Sequence, residues 1–218
     1  MGAMSDEEAS DATLLGRYAA GEVGAFERLY RRHERRIWRY LERHLGERAL
    51  AEELMQEVWF TVAREAPRWR PTAKFTTWLF TLAHHRLIDT VRARRRHVSL
   101  DAVVGGSGGG YGGSGGSGGD SGGSAGGSAR GGGEMLAALA TEAHTGPLAG
   151  AVAHQEARAL RRALGELPLE QRDAFLLHVE AELAVEEVAA ITGCPAETTK
   201  SRLRYARGKL RELLKEYA

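Results

Sequence analysis

Apolar residues recur along most of this chain at helical spacing. From Ala25 to Leu45 they are Phe26, Leu29, Tyr30, Ile37, Tyr40, Leu41 and Leu45, and Gly46 is a natural stop. Arg31, Arg32, Arg35, Arg36, Arg39 and Arg43 fall between them and give this helix a basic face. A shorter helix, Leu14 to Ala20, precedes it and ends near Gly21. A second long helix, from about Ala49 to Glu65, repeats Leu50, Leu54, Val58 and Val62 every fourth residue. Pro67 and Pro71 then bracket a loop carrying Trp69. A third starts near Thr76 or Thr77 and runs to about Arg96. Its apolar residues (Trp78, Leu79, Phe80, Leu82, Leu87, Ile88, Val91) form no single stripe, which predicts packing on more than one neighbour.

The second half is also helical. Pattern resumes at about Leu148, and Leu160, Leu164 and Leu167 lead to Pro168; a helix from about Glu170 to Glu180 follows. Glu186 to Leu214 reads as a short helix, a tight turn at Thr192-Gly193-Cys194-Pro195, and a longer basic helix. That is the layout of a helix-turn-helix unit. No stretch alternates as a strand would, so the expected fold class is all-α.

Between the halves the composition changes. Eighteen of the twenty-nine residues from Gly105 to Gly133 are glycine, too apolar-poor to offset the entropy of ordering. As a random coil this tract would hold its ends on the order of 30 Å apart. The expectation is two small helical domains joined by a flexible tether: a bundle over 14–101, a linker over 102–147, and a helix-turn-helix domain over 148–218. A short helix from Glu134 to Ala140 is expected within the linker. Residues 1–13 are expected to be disordered, with Met1-Gly2-Ala3 resembling a tag scar.

The formal net charge of +1 conceals segregation of arginines from acids, so it does not exclude a nucleic-acid partner. One cysteine, Cys194, excludes an internal disulfide and any multi-cysteine zinc site within the chain. No apolar run approaches the roughly 20 residues of a membrane span, and the acidic start Ser5-Asp6-Glu7-Glu8 is unlike a signal peptide. A cytoplasmic protein without membrane insertion of its own is expected.

Two zones carry candidate chemistry. In the last helix Leu203, Ala206, Leu210, Leu213, Leu214 and Tyr217 share one face, flanked by Lys200, Arg204, Arg207 and Arg211 on one shoulder and Arg202 and Lys209 on the other. Glu197, Thr198, Ser201 and Tyr205 point outward near its start, where a helix laid in the major groove touches base edges. In the first half, Lys74-Phe75-Thr76-Thr77-Trp78 opens the third helix and Arg92, Arg94, Arg95 and Arg96 close it. Aromatics beside cations suit unstacked single-stranded bases, although each aromatic alone, Phe75 or Trp78, is better explained as core. His85 and Asp89 share a helical face beside His84, but two ligands do not make a metal site. The glycine tract lacks a GK[ST] phosphate-binding signature and a flanking strand.

Four segments in order carry a resemblance: AFERLYRRH, AEELMQEVWFTV, FTTWLFTLAHHRLIDTVRARRR, and ALGELPLEQRDAFLLHVEAELAVEEVAAITGCPAETTKSRLRYARGKLRELL. Together they resemble a bacterial RNA polymerase sigma factor of the sigma-70 family, in the two-domain form of the extracytoplasmic-function group. The resemblance implies that 14–101 corresponds to sigma region 2 and 148–218 to region 4. It implies that Glu52, Glu53, Leu54, Gln56, Glu57 and Trp59 lie in the segment that docks on the polymerase. It implies that Lys74, Phe75, Thr76, Thr77, Trp78, His85, Arg86, Asp89, Arg92, Arg95 and Arg96 melt and read a minus-ten element, capturing a flipped base. Glu197, Thr198, Thr199, Lys200, Ser201, Arg202, Arg204, Tyr205 and Arg207 would read a minus-thirty-five element. The turn departs from the family's frequent Gly-Thr-Val, carrying Glu197-Thr198-Thr199 instead.

The partners implied are core RNA polymerase, through its β′ clamp and β flap, promoter DNA, and an anti-sigma factor; no cofactor, metal or catalytic residue is implied. The sequence reading is therefore a sigma factor without covalent chemistry. Its alternatives are an autonomous helix-turn-helix regulator, which would bind duplex DNA without polymerase, and, more weakly, a metal-dependent enzyme using His84, His85 and Asp89.

Overall fold

A computed structural model describes residues 9–104 and 147–217. Among them there is no strand. Helix α1 (Asp11–Ala19) starts earlier than the pattern predicts, because Ser10 caps it: its hydroxyl accepts from the Thr13 backbone N–H at 3.2 Å. The expected disordered start therefore gives way to helix at Asp11, whose carboxylate also meets Arg32 (2.6 Å) and His33 (2.8 Å). Gly21, at φ 102°, turns the chain into α2 (Val23–Leu45), and Gly46 ends α2 in the left-handed region at φ 65°.

Helix α3 (Arg48–Glu65) closes through a 3-10 turn at Ala66–Arg68, and α4 spans Phe75–Val104. Helix α2 packs on α1 and α3, and α4 packs on α3 and α2. Their shared interior holds Leu29, Ile37, Leu41, Leu54, Val58, Val62, Leu79, Phe80 and Leu87. Near the start of α2, Phe26 and Tyr30 flank Trp59, with ring centroids 5.7 and 5.0 Å away.

The later helices are α5 (Pro147–Gly165), α6 (Leu169–Val179), α7 (Val185–Thr192) and α8 (Ala196–Leu213), followed by a 3-10 turn at Lys215–Tyr217. Pro168 and Pro195 stand immediately before α6 and α8, where a missing N–H costs nothing. Gly193, at φ 64°, caps α7 in the left-handed region and lets the helix-turn-helix fold back on itself. Leu203, Ala206 and Leu210 of α8 bury against α6 and α7 with Phe175, Leu176, Val188 and Ile191. The expected linker and the short helix from Glu134 to Ala140 fall mostly or wholly outside the described residues.

The two helix sets do not stand apart. Helices α5 and α6 pack on α2, and α7 packs on α4, so the buried residues of both form one contiguous core. This contact is invisible to sequence pattern, because its partners are remote in the chain, as Tyr40 and Asp173 are.

Candidate nucleic-acid interface

Helix α8 presents its polar side as the amphipathic pattern predicts. Glu197, Thr198, Lys200, Arg204, Tyr205 and Arg207 are exposed, and Ser201 and Arg202 are half-buried. The Arg204 guanidinium lies 5.3 Å from the centroid of the Tyr205 ring, which pre-orients both side chains at the exposed start of the helix. Lys200 pairs with Glu197 at 2.6 Å, so in this state Glu197 screens one cation of the surface.

Thr199 differs from expectation: it is fully buried, and its hydroxyl lies 3.2 Å from the Cys194 thiol. It holds the turn and cannot touch a ligand from there. Arg202 also turns inward, donating to Cys194 Sγ at 3.3 Å. Burial alone would raise the Cys194 thiol, but hydrogen bonds from Thr192 and Thr199 and the Arg202 charge bring it below its ordinary value.

At the start of α4, Lys74 is exposed while Thr76, Thr77 and Trp78 are half-buried. Phe75 is the correction here. It is buried against His33, with ring centroids 5.4 Å apart, and serves as core rather than as a contact. Trp78 instead faces Trp69 at 6.1 Å, and the two rings line a hollow with Arg68, Arg70, Thr72 and Thr81.

Trp69 and Arg70 were outside the expected contact set. The signal was available: an aromatic between two arginines in a loop bracketed by prolines. Further along α4, His85, Arg86, Asp89, Arg92 and Arg96 are exposed; Arg95 lies in the helix, but its side chain is outside the described set. No group of three potential metal ligands occurs among the described residues, and His84 Nδ1 lies 3.0 Å from Asp173.

On α3, Glu53, Gln56 and Glu57 are exposed along one stripe and Glu52 is held by Arg48 at 2.8 Å. Leu54 and Trp59 are buried, so these two expected docking residues form the floor under that stripe. Phe60 continues the stripe one turn on, and is 74% exposed. Apolar periodicity does not reveal this exposed aromatic, which follows Glu53, Gln56 and Glu57 along the helix.

The two helix sets meet through charge. Asp173 of α6 accepts a hydrogen bond from Tyr40 Oη at 2.7 Å, lies 3.0 Å from His84 Nδ1 and 3.5 Å from His44 Nε2, and is only 4% exposed. Burial would raise its carboxyl, yet His84, His44 and Tyr40 together hold it below the usual carboxylate value. His44 responds the other way: burial drives its imidazole down to about 4, with Arg172 and His84 adding to the fall against the pull of Asp173 and the Tyr40 carbonyl. Its Nδ1 lies 2.9 Å from that carbonyl, which fixes the neutral ring as the Nδ1–H tautomer. Glu180 meets Arg39 at 2.7 Å and also pairs with Arg43, Glu182 meets Arg36 at 2.7 Å, and Arg161 returns the pattern to Glu42 at 2.9 Å.

Comparison with known proteins decides the family. The model of Sigma-70 region 2 matches residues 29–97, and that of Sigma-70 region 4 matches residues 157–210. The chain belongs to the sigma-70 family. Both region models fall on helices already described, the first on α2 to α4 and the second on α5 to α8. The chain is 28% identical over 206 residues to the RNA polymerase sigma factor CarQ of Myxococcus xanthus, covering 93% of this chain and 96% of that protein. It is 26% identical over 210 residues to the ECF RNA polymerase sigma factor SigM of Mycobacterium tuberculosis, covering 95% and 86%. These relatives place it in the extracytoplasmic-function group.

Two solved structures share the fold. One is the sigma factor RpoE in complex with the anti-sigma factor NepR from Bartonella quintana, at TM-score 0.60 and 21% identity over 87% of this chain and 96% of that one. The other is CnrH in complex with the cytosolic domain of CnrY, at TM-score 0.59 and 18% identity over 96% of this chain and 100% of that one.

Proposed function

We infer that this sigma-family chain binds core RNA polymerase, directs it to promoters with two separated elements, and promotes DNA melting. The observation that carries this reading is the pairing of the two region matches, in order, with a basic α8 whose first turns are exposed. Arg204, Tyr205, Arg207, Thr198 and Lys200 would contact the minus-thirty-five element in the major groove, with the cations on phosphate. The hollow between Trp69 and Trp78, with Arg70 at its edge, would take a base flipped from the minus-ten strand, by stacking and phosphate attraction. The stripe Glu53, Gln56, Glu57 and Phe60 would dock on the polymerase, acids and amide toward a basic partner and Phe60 into an apolar recess.

The chain has no covalent chemistry of its own in this reading, and it acts in the cytoplasm, where polymerase is. No helix among the described residues is long and apolar enough to cross a membrane. An anti-sigma partner is part of the proposal, supported by the two fold neighbours, one named as a complex with an anti-sigma factor. Holding two DNA elements through one tethered chain raises the effective concentration of the second contact once the first has formed.

Run-off transcription with purified core polymerase on a genomic promoter library tests the reading. Promoter-dependent transcripts that require the added chain are expected. Their absence would sink it, and tight binding to duplex DNA without polymerase would point to an autonomous regulator.

A further inference from the structure

The hollow that would take the flipped base has walls from two different elements, and both lean on a third. Trp69 stands in the loop after the 3-10 turn Ala66–Arg68, and Trp78 stands in the first turn of α4. Residues 70–74 between them form no helix, so the loop itself does not fix how the two rings face each other. Their 6.1 Å separation depends on what each wall is anchored to.

Both anchors lead to α1. The 3-10 turn packs against α1, and Ala66 is buried in the same core as Leu14 and Leu15. Trp69 is tied to that turn: its backbone N–H donates to the Glu65 carbonyl at 2.9 Å and to that of Ala66 at 3.3 Å. On the other wall, Trp78 packs on Phe75 with ring centroids 5.8 Å apart, and Phe75 packs on His33 at 5.4 Å. The His33 side chain is 4% exposed, and its Nε2 lies 2.8 Å from Oδ2 of Asp11, the first residue of α1. His33 Nδ1 is buried without a hydrogen-bond partner, so among the described residues Asp11 alone orients this ring by hydrogen bonding. Arg32 fastens the same helix start, donating to Asp11 Oδ1 at 2.6 Å and to the Ala9 carbonyl at 3.0 Å. The region 2 match begins at residue 29, so α1 lies ahead of it.

We propose that α1 braces the base-binding hollow and that Asp11 and His33 are positioning residues for it. They set the Trp78 wall through Phe75, while α1 holds the Trp69 wall through the 3-10 turn. The proposal rests on the assignment of this hollow to a flipped base. A base between two rings gains its stacking only while both rings keep their spacing and tilt. Loosening one wall should therefore remove affinity that depends on the base and spare affinity that depends on phosphate.

The test uses the full chain bound to core polymerase and a single-stranded minus-ten oligonucleotide from a promoter found by run-off transcription. Each nucleotide is made abasic in turn, and affinity is read by fluorescence anisotropy. In the parent, removing the base at one position should cost roughly tenfold, and Trp78→Ala should abolish that cost. Asp11→Ala opens the clasp, whereas His33→Gln keeps a donor for Asp11 but takes the ring away from Phe75. Both should lose most of the preference for the intact base, yet match the parent on the oligonucleotide abasic at that position. The double variant should be no worse than either single one, because the two residues act through one contact. Circular dichroism should show the parent's helical signal in all three.

An equal loss on intact and abasic oligonucleotides would overturn the proposal, since a weakened fold alone would produce it. So would variants that keep the parent's preference for the base. A parent with no position coupled to Trp78 would overturn the base-site reading and this inference with it.

Discussion

Acidification should loosen the folded chain through His44. Its imidazole is fully buried and held at about 4, against an ordinary value of 6.5. The groups that face it are Tyr40 on its own helix, Asp173 and Arg172 from α6, and His84 from α4. A histidine whose folded value is depressed stabilises the fold fully above its unfolded value. It surrenders that contribution as pH falls through the interval between the two.

For His44 that interval runs from about 6.5 down to about 4. The gap of 6.5 − 4, or 2.5 units, corresponds to about 3 kcal/mol in all. Between pH 7.5 and pH 5.0 about 2 kcal/mol of this should be lost. Asp173, held below its ordinary value, adds a further loss only at lower pH. Urea unfolding of the parent chain and His44→Gln at the two pH values gives a double difference that cancels the other titrations. A His44→Gln protein with the same pH dependence as the parent would refute the reasoning.

Replacing Gln56 and Glu57 by Lys should weaken binding to core polymerase, read by competition against a labelled sigma factor, without altering helical content. Unchanged affinity would remove the docking assignment. Arg204→Ala should reduce initiation at promoters that depend on the minus-thirty-five element, by about 1–3 kcal/mol if the side chain reads a base; a uniform loss across promoters would indicate phosphate contact only. Gly193→Ala meets no steric obstacle but keeps φ at 64°, so it should cost about 1 kcal/mol in unfolding free energy; an unchanged melting curve would show that the turn relaxes.

The helices were legible because α2, α3 and α8 each place apolar residues on a face that the chain then buries. The basic side of α8 was legible for the same reason, since what is not core is offered to solvent. Periodicity does not say how deep a residue on the margin of a face will sit. Phe75 and Thr199 lie in the first turns of their helices, where the neighbouring helix covers them, and so became core. Leu54 and Trp59 alternate with exposed acids on α3 and carry the exposed stripe from beneath. Trp69 lies in a loop, which has no period to read, so only its flanking arginines and the bracketing prolines mark it. The pairing of Asp173 with Tyr40, His44 and His84 was beyond reach, since nothing near Asp173 in the chain reveals that its partners come from α2 and α4.

Arg172 gives the docking a mechanical meaning. One guanidinium nitrogen donates to the His44 carbonyl at 3.1 Å, and another to the carbonyls of Gly165 at 2.8 Å and Leu167 at 3.1 Å. The first lies in the last turn of α2, where a carbonyl lacks an intrahelical donor; the other two form the bend between α5 and α6. A single planar fork thus sets the elbow of the later helices and clips it to the end of an earlier one. A lysine, with one nitrogen, could not span all three acceptors. Undocking would release the end of α2 and slacken the α5–α6 elbow together, so separation of the two halves would change the shape of the second half as well as its position.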